Sequence, residues 1–153
     1  MGAFSGARKM NLGKLHLLLV HFPIALSVAA AGADILWGLT RRPLFRAAGA
    51  FCLIAALIAT PFVVFTGWQL LSSMKLPADL ADLAEDHEHM AIASLCVMAG
   101  AAVVRGFWAQ QQKKWMLVLY GVLMAALFVC ISITGHLGGK LAFGEDYLKG
   151  LFG

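Results

Sequence analysis

Residues 115–135 read WMLVLYGVLMAALFVCISITG, a run of 21 positions without one charged side chain. A hydrocarbon layer of about 30 Å is crossed by roughly 20 helical residues, so this run is long enough to span a bilayer. Three more stretches share its length and character: 15–39, 47–71 and 89–108. Backbone groups in lipid find no water and must pair within their own segment, which makes each span an α-helix. The links are short, and short links join antiparallel neighbours. The fold class read here is all-α: an integral-membrane, up-down four-helix bundle forming one domain over 1–153.

Composition agrees. The chain is 61% hydrophobic and 13% charged, with mean hydropathy +0.81, whereas soluble domains carry about a quarter charged residues. Membrane lipid is therefore the first partner. The first span has some marks of a secretory signal, with Arg8, Lys9 and Lys14 ahead of it and small residues at 29–33. Its apolar run exceeds a signal h-region, so we read a retained span. The formal net charge of +4 gives no argument for nucleic acid. Cys52, Cys96 and Cys130 lie far apart inside spans and read as small buried hydrophobes. No Cys-x-x-Cys-His occurs, which excludes covalently attached haem.

Loop one, residues 40–46, holds Arg41, Arg42 and Arg46; loop three holds Lys113 and Lys114, close to Arg105. Loop two carries Lys75 and the acids Asp79, Asp82, Glu85, Asp86 and Glu88. The positive-inside rule puts loops one and three in the cytoplasm and both termini outside. The 12 basic residues nevertheless divide evenly between the two sides. Loop two reads as a short surface helix entered at Pro77, with Asp79 and Asp82 suiting its dipole. Leu76, Leu80, Leu83 and His87 form a stripe that carries it into span three. Pro61 predicts a kink in span two, and Pro23 loosened first turns in span one.

All five histidines fall at one membrane face: His16 and His21 open span one, His87 and His89 lead into span three, and His136 closes span four. Ionisable groups in spans are functional candidates by default. At 100° per residue, His16 and His21 point about 140° apart and His87 and His89 about 200° apart. No single facing helix meets both members of either pair, so the set implies two sites, or one site with structural histidines beside it. His21 shares a face with Ala25, Val28 and Gly32, and His89 with Ala93, Cys96 and Gly100; small residues leave room for a flat guest, though they also permit plain helix packing. His16 lies on another stripe with Ser27 and Asp34. Imidazoles on facing helices suit haem iron. Copper is the rival, with Met90, Met74 and Met10 at the same face as soft ligands. Asp34, one turn from the other end of span one, reads either as a partner of Arg41, Arg42 or Arg105 or as a proton-handling group near a quinone. Trp68 reads as part of the interfacial aromatic belt. No phosphate loop, nucleophile triad, HExxH or dinucleotide fingerprint is present.

Residues Leu15 to Leu26, LHLLLVHFPIAL, and Thr134 to Gly139, TGHLGG, resemble the signatures of an uncharacterised family of small four-span membrane proteins, bacterial as far as it is known. The likeness runs from about Leu15 to Phe143. His16 and His21 match the opening histidines, His87 or His89 a histidine before span three, and His136 lies within the glycine motif. Two departures stand out: Leu17 replaces a common proline, and Phe143-Gly144-Glu145-Asp146 lacks a later histidine. Members are joined to, or encoded beside, c-type cytochrome or Rieske-type domains, which implies respiratory electron transfer by analogy.

The expected function is a b-type cytochrome-like subunit in the bacterial inner membrane. It would pass electrons between the quinone pool and an extracytoplasmic redox protein or dehydrogenase, inside a larger complex rather than as an enzyme alone. One or two haem b groups would sit near the outer face, with His21 paired to His89 or His136. His16 and the remaining histidine would serve a second haem. Loop two and the tail 147–153 would dock the partner. The rival expectations are a copper-handling membrane protein and a cofactor-free structural subunit.

Overall fold

The computed structural model describes residues 12–73 and 76–144. Met10, Met74, Lys75, both chain ends and the tail 147–153 lie outside the described residues. Five helices follow one another: α1 Leu12–Leu19, α2 His21–Thr40, α3 Pro43–Ser73, α4 Ala78–Gln111 and α5 Lys114–Phe143. Four stretches are long and apolar enough to cross a membrane: Leu15–Thr40, Pro43–Ser73, Leu80–Gln111 and Lys114–Phe143. The all-α class and the four spans read from the sequence are what the fold contains.

The helices run past the apolar limits read from sequence, because a helix keeps its own hydrogen bonds beyond the hydrocarbon. Loops one and three shrink to two residues each, 41–42 and 112–113. Loop two forms no separate helix; α4 starts after Pro77 and continues unbroken into span three. Pro61 is carried inside α3 without a break. Span one is interrupted at Val20, between α1 and α2. Pro23 has no N–H to give the carbonyl of Leu19, and its ring crowds that carbonyl. Val20 itself keeps helical angles (φ −57°, ψ −29°), so the span continues across the boundary, and α1 lies against α3.

Alanines let the backbones approach. The buried core joins Ala30 of α2, Leu53 and Ala56 of α3, Met98 and Ala101 of α4, and Tyr120, Met124 and Leu127 of α5. Large apolar side chains such as Leu39, Phe51, Phe62 and Val118 point outward. An apolar exterior around a small-residue interior suits a bundle packed in lipid.

The two halves of the chain repeat each other. Asp34 and Arg105 are 71 positions apart, and the same interval relates His16 to His87, Trp37 to Trp108 and Gly67 to Gly138. Geometry follows the interval. Arg41 and Gln112 end α2 and α4 in the left-handed region, at φ 58° and 54°. Each donates its N–H over 2.8 Å to the carbonyl of Trp37 or Trp108. Equivalent residues also meet: the Trp37 and Trp108 rings pack edge to face, centroids 5.2 Å apart, and Asp34 pairs with Arg105. Positions that contact their own equivalents lie on an approximate twofold axis. The two halves are similar helical hairpins whose equivalent positions meet at the loop end, although their packing is not symmetric throughout, since α3 lies against α4 more closely than α5 lies against α2.

The Asp34–Arg105 ion pair crosses that axis, its side chains only 16% and 8% exposed. Tyr120 donates its hydroxyl to Asp34 over 2.6 Å. Arg105 also reaches the carbonyl of Arg46 at 2.8 Å, and a Cβ on Gly49 would collide with the Asp34 carboxylate. Among the partners open to Asp34, the fold selects Arg105. Losing one member of a buried pair costs about 3–5 kcal/mol, because the other charge is stranded. Asp34→Leu is expected to destabilise by that amount, and Asp34→Leu with Arg105→Met to recover most of it, in unfolding titrations of the lipid-reconstituted protein.

Candidate functional site

The histidines divide by orientation. His16 and His87 are half-buried and face inward, whereas His21, His89 and His136 are exposed on the outer surface of the bundle. The stripe His16, Ser27, Asp34 is the inward face of span one, with Ser27 fully buried. The Ala25, Val28, Gly32 face of His21 turns outward. The residues of the pairing expected from sequence, His21 with His89 or His136, are thus all on the exposed side, and His16 and His87 are the two that turn inward. A polar side chain is turned inward where a partner waits, and spacing along one helix does not report the partner.

His16 and His87 are held identically. His16 Nδ1 lies 3.0 Å from the carbonyl oxygen of Val63 on α3. His87 Nδ1 lies 3.0 Å from that of Thr134 on α5. Val63 and Thr134 are themselves repeat equivalents. A carbonyl only accepts, so each Nδ1 carries the proton and donates, and each Nε2 keeps its lone pair. Thr66, whose hydroxyl donates to the Val63 carbonyl over 3.0 Å, sits beside the His16 anchor.

Each ring also rests on a glycine. A Cβ at Gly67 would stand 2.8 Å from His16 Cε1, and one at Gly138 would stand 3.0 Å from His87 Cε1. Neither Nε2 has a hydrogen-bond partner among the described residues, and no fully buried side-chain nitrogen there is left unpaired. The two lone pairs are therefore accessible. The two rings lie at the same end of the bundle, on equivalent positions of the two halves.

Among the described residues, no three His, Cys, Asp or Glu side chains gather into a metal-binding group. The three cysteines are free, Cys96 exposed and the others half-buried. Trp68 points outward, as an interfacial aromatic does. At the opposite end, Asp34, Tyr120 and Arg105 close on one another as described above.

A family model described as Predicted membrane protein (DUF2231) matches residues 13–147, a stretch holding all five histidines and both repeats. The chain belongs to that family. No curated protein and no solved structure matches it. For this DUF2231 protein the family supports the membrane reading, and the chemistry must be argued from the histidine pair.

Alanine normally stabilises a helix over glycine by up to about 1 kcal/mol. Gly121 has open space around its Cβ position, so Gly121→Ala is expected to be neutral or stabilising. Gly67→Ala and Gly138→Ala are expected to unfold more readily than that control, because each must push an imidazole off its carbonyl. Thermal unfolding in detergent or lipid reads the difference.

Proposed function

We propose that this DUF2231 protein is a membrane-embedded, b-type cytochrome-like electron-transfer subunit whose haem is held between His16 and His87. The observation that carries the reading is the matched pair of imidazoles, each fixed through Nδ1–H to a carbonyl and each offering an accessible Nε2. That is how proteins orient metal-ligating histidines: the second nitrogen's hydrogen bond sets tautomer and ring angle and raises ligand basicity.

The donor set favours haem over a bare ion. Protein zinc sites use three or four side-chain ligands, and no such group gathers among the described residues. A porphyrin brings four nitrogens of its own, so a single inward pair, His16 and His87, would be enough to hold it. Haem held there would supply a one-electron iron couple. The chain's part is to present two neutral imidazoles from different halves, at the level where the spans meet the polar boundary. One inward pair would hold one haem rather than two.

The wider role remains part of the proposal. Basic loops one and three suit the cytoplasmic side; the histidine end would then lie outside, in a bacterial inner membrane. There it would exchange electrons with a c-type cytochrome or Rieske-type domain, as the family resemblance implies. A quinone would exchange electrons on the membrane side, and the exposed acids Asp82, Glu85 and Asp86 of α4 would help dock the partner.

Absorbance spectra of the purified protein, oxidised and then reduced, with iron and copper analysis, test this directly. A reducible haem spectrum is expected. It should be lost in His16→Ala and in His87→Ala and retained in His21→Ala, His89→Ala and His136→Ala. A colourless, iron-free preparation from haem-replete cells would reject it, and stoichiometric copper without haem would turn the same pair into a copper site.

A further inference from the structure

We propose that the loop end of the bundle, opposite the histidines, carries two binding sites for anionic phospholipids, one on each side of the junction between the two repeats. The proposal is independent of what the histidine pair holds. Two clefts of similar size open there. One, about 140 Å³, is lined by Arg46, Ala50, Leu53, Ala102, Arg105 and Trp108. The other, about 130 Å³, is lined by Asp34, Trp37, Arg41, Arg105, Leu117 and Tyr120. They lie at related places in the repeat, since Arg46 and Trp108 of the first stand 71 positions from Leu117 and Trp37 of the second, but the cations themselves do not repeat: Arg46 answers to Leu117 and Arg41 to Gln112.

Each cleft combines a cation with an apolar wall. The Arg46 guanidinium lies over the Trp108 ring at 5.2 Å, and that of Arg41 over Trp37 at 5.0 Å. Indole faces hold these cations at the level where tryptophan marks the membrane boundary. Neither arginine meets a carboxylate among the described residues, since Asp34 is taken by Arg105. The anion most abundant at that level is lipid phosphate, which a guanidinium fork binds in two-point fashion. Beside Arg46, the alanine and leucine side chains of that cleft, between α3 and α4, give an acyl chain an apolar surface to lie on. In a zwitterionic lipid the phosphate already has the headgroup's own cation beside it, so an unpaired guanidinium favours headgroups of net negative charge.

The test uses the full chain in phosphatidylcholine nanodiscs with and without phosphatidylglycerol, read by native mass spectrometry. Wild-type protein is expected to retain two phosphatidylglycerol molecules and no phosphatidylcholine. Arg46→Gln and Arg41→Gln should each lose one, with unchanged helical content. Arg42→Gln, exposed and outside both clefts, should still retain two. Equal retention of phosphatidylcholine would overturn the proposal. So would a loss in Arg42→Gln as large as in the other two, because diffuse surface charge would then explain the binding. If one cleft variant fails to fold, the other decides alone.

Discussion

A polar group placed in hydrocarbon must find its partner within the chain, and this constraint orients every helix of the bundle. At one end Asp34, Arg105 and Tyr120 satisfy each other across the junction of the two halves. At the other, His16 and His87 turn inward to carbonyls of α3 and α5. Between them, Ser27, Thr60 and Ser94 bond carbonyls of their own helices. Apolar side chains gain little by facing in rather than out when lipid surrounds them. The polar minority, not the apolar majority, therefore sets the rotation of each span.

The repeat explains why these partners coincide. Two like hairpins about an axis bring equivalent positions face to face, as in an isologous dimer. In a dimer of identical chains such a position holds the same residue twice, and two aspartates would repel. A single chain can place an acid in one half and a base in the other, as Asp34 and Arg105 do. Where a shared property serves both halves, identity persists: histidine at 16 and 87, tryptophan at 37 and 108, glycine at 67 and 138. The inward histidines belong to this second class, which is what a guest held on the axis would require.

Much of the fold was legible in residue order alone. The four apolar runs, the short links and the gathering of histidines at one face all depend on length and position, which sequence reports. So did the run of Leu80, Leu83 and His87 that carries α4 into its span. The facing of each span was not legible, because an apolar helix in lipid has no hydrophobic stripe to show its inner side. The small face under His21 looked like room for a guest and is lipid-facing surface; the stripe of His16 with Ser27 and Asp34 was the polar one and faces in. The duplication left a signal in His, Trp and Gly at one common interval. Most other equivalent positions differ, Pro23 against Ser94 and Thr66 against Leu137 among them, so the interval is plain only once the two loops are seen to share a geometry.

Everything chemical in this account descends from two rings held through Nδ1–H with Nε2 left open. Solid-state ¹⁵N NMR of the imidazoles in lipid bilayers, in a variant with His21, His89 and His136 replaced by glutamine, observes those nitrogens directly. The account predicts that both remaining rings carry their proton on Nδ1, with Nε2 bearing a lone pair or bound to a guest. A proton on Nε2 of either ring would contradict it.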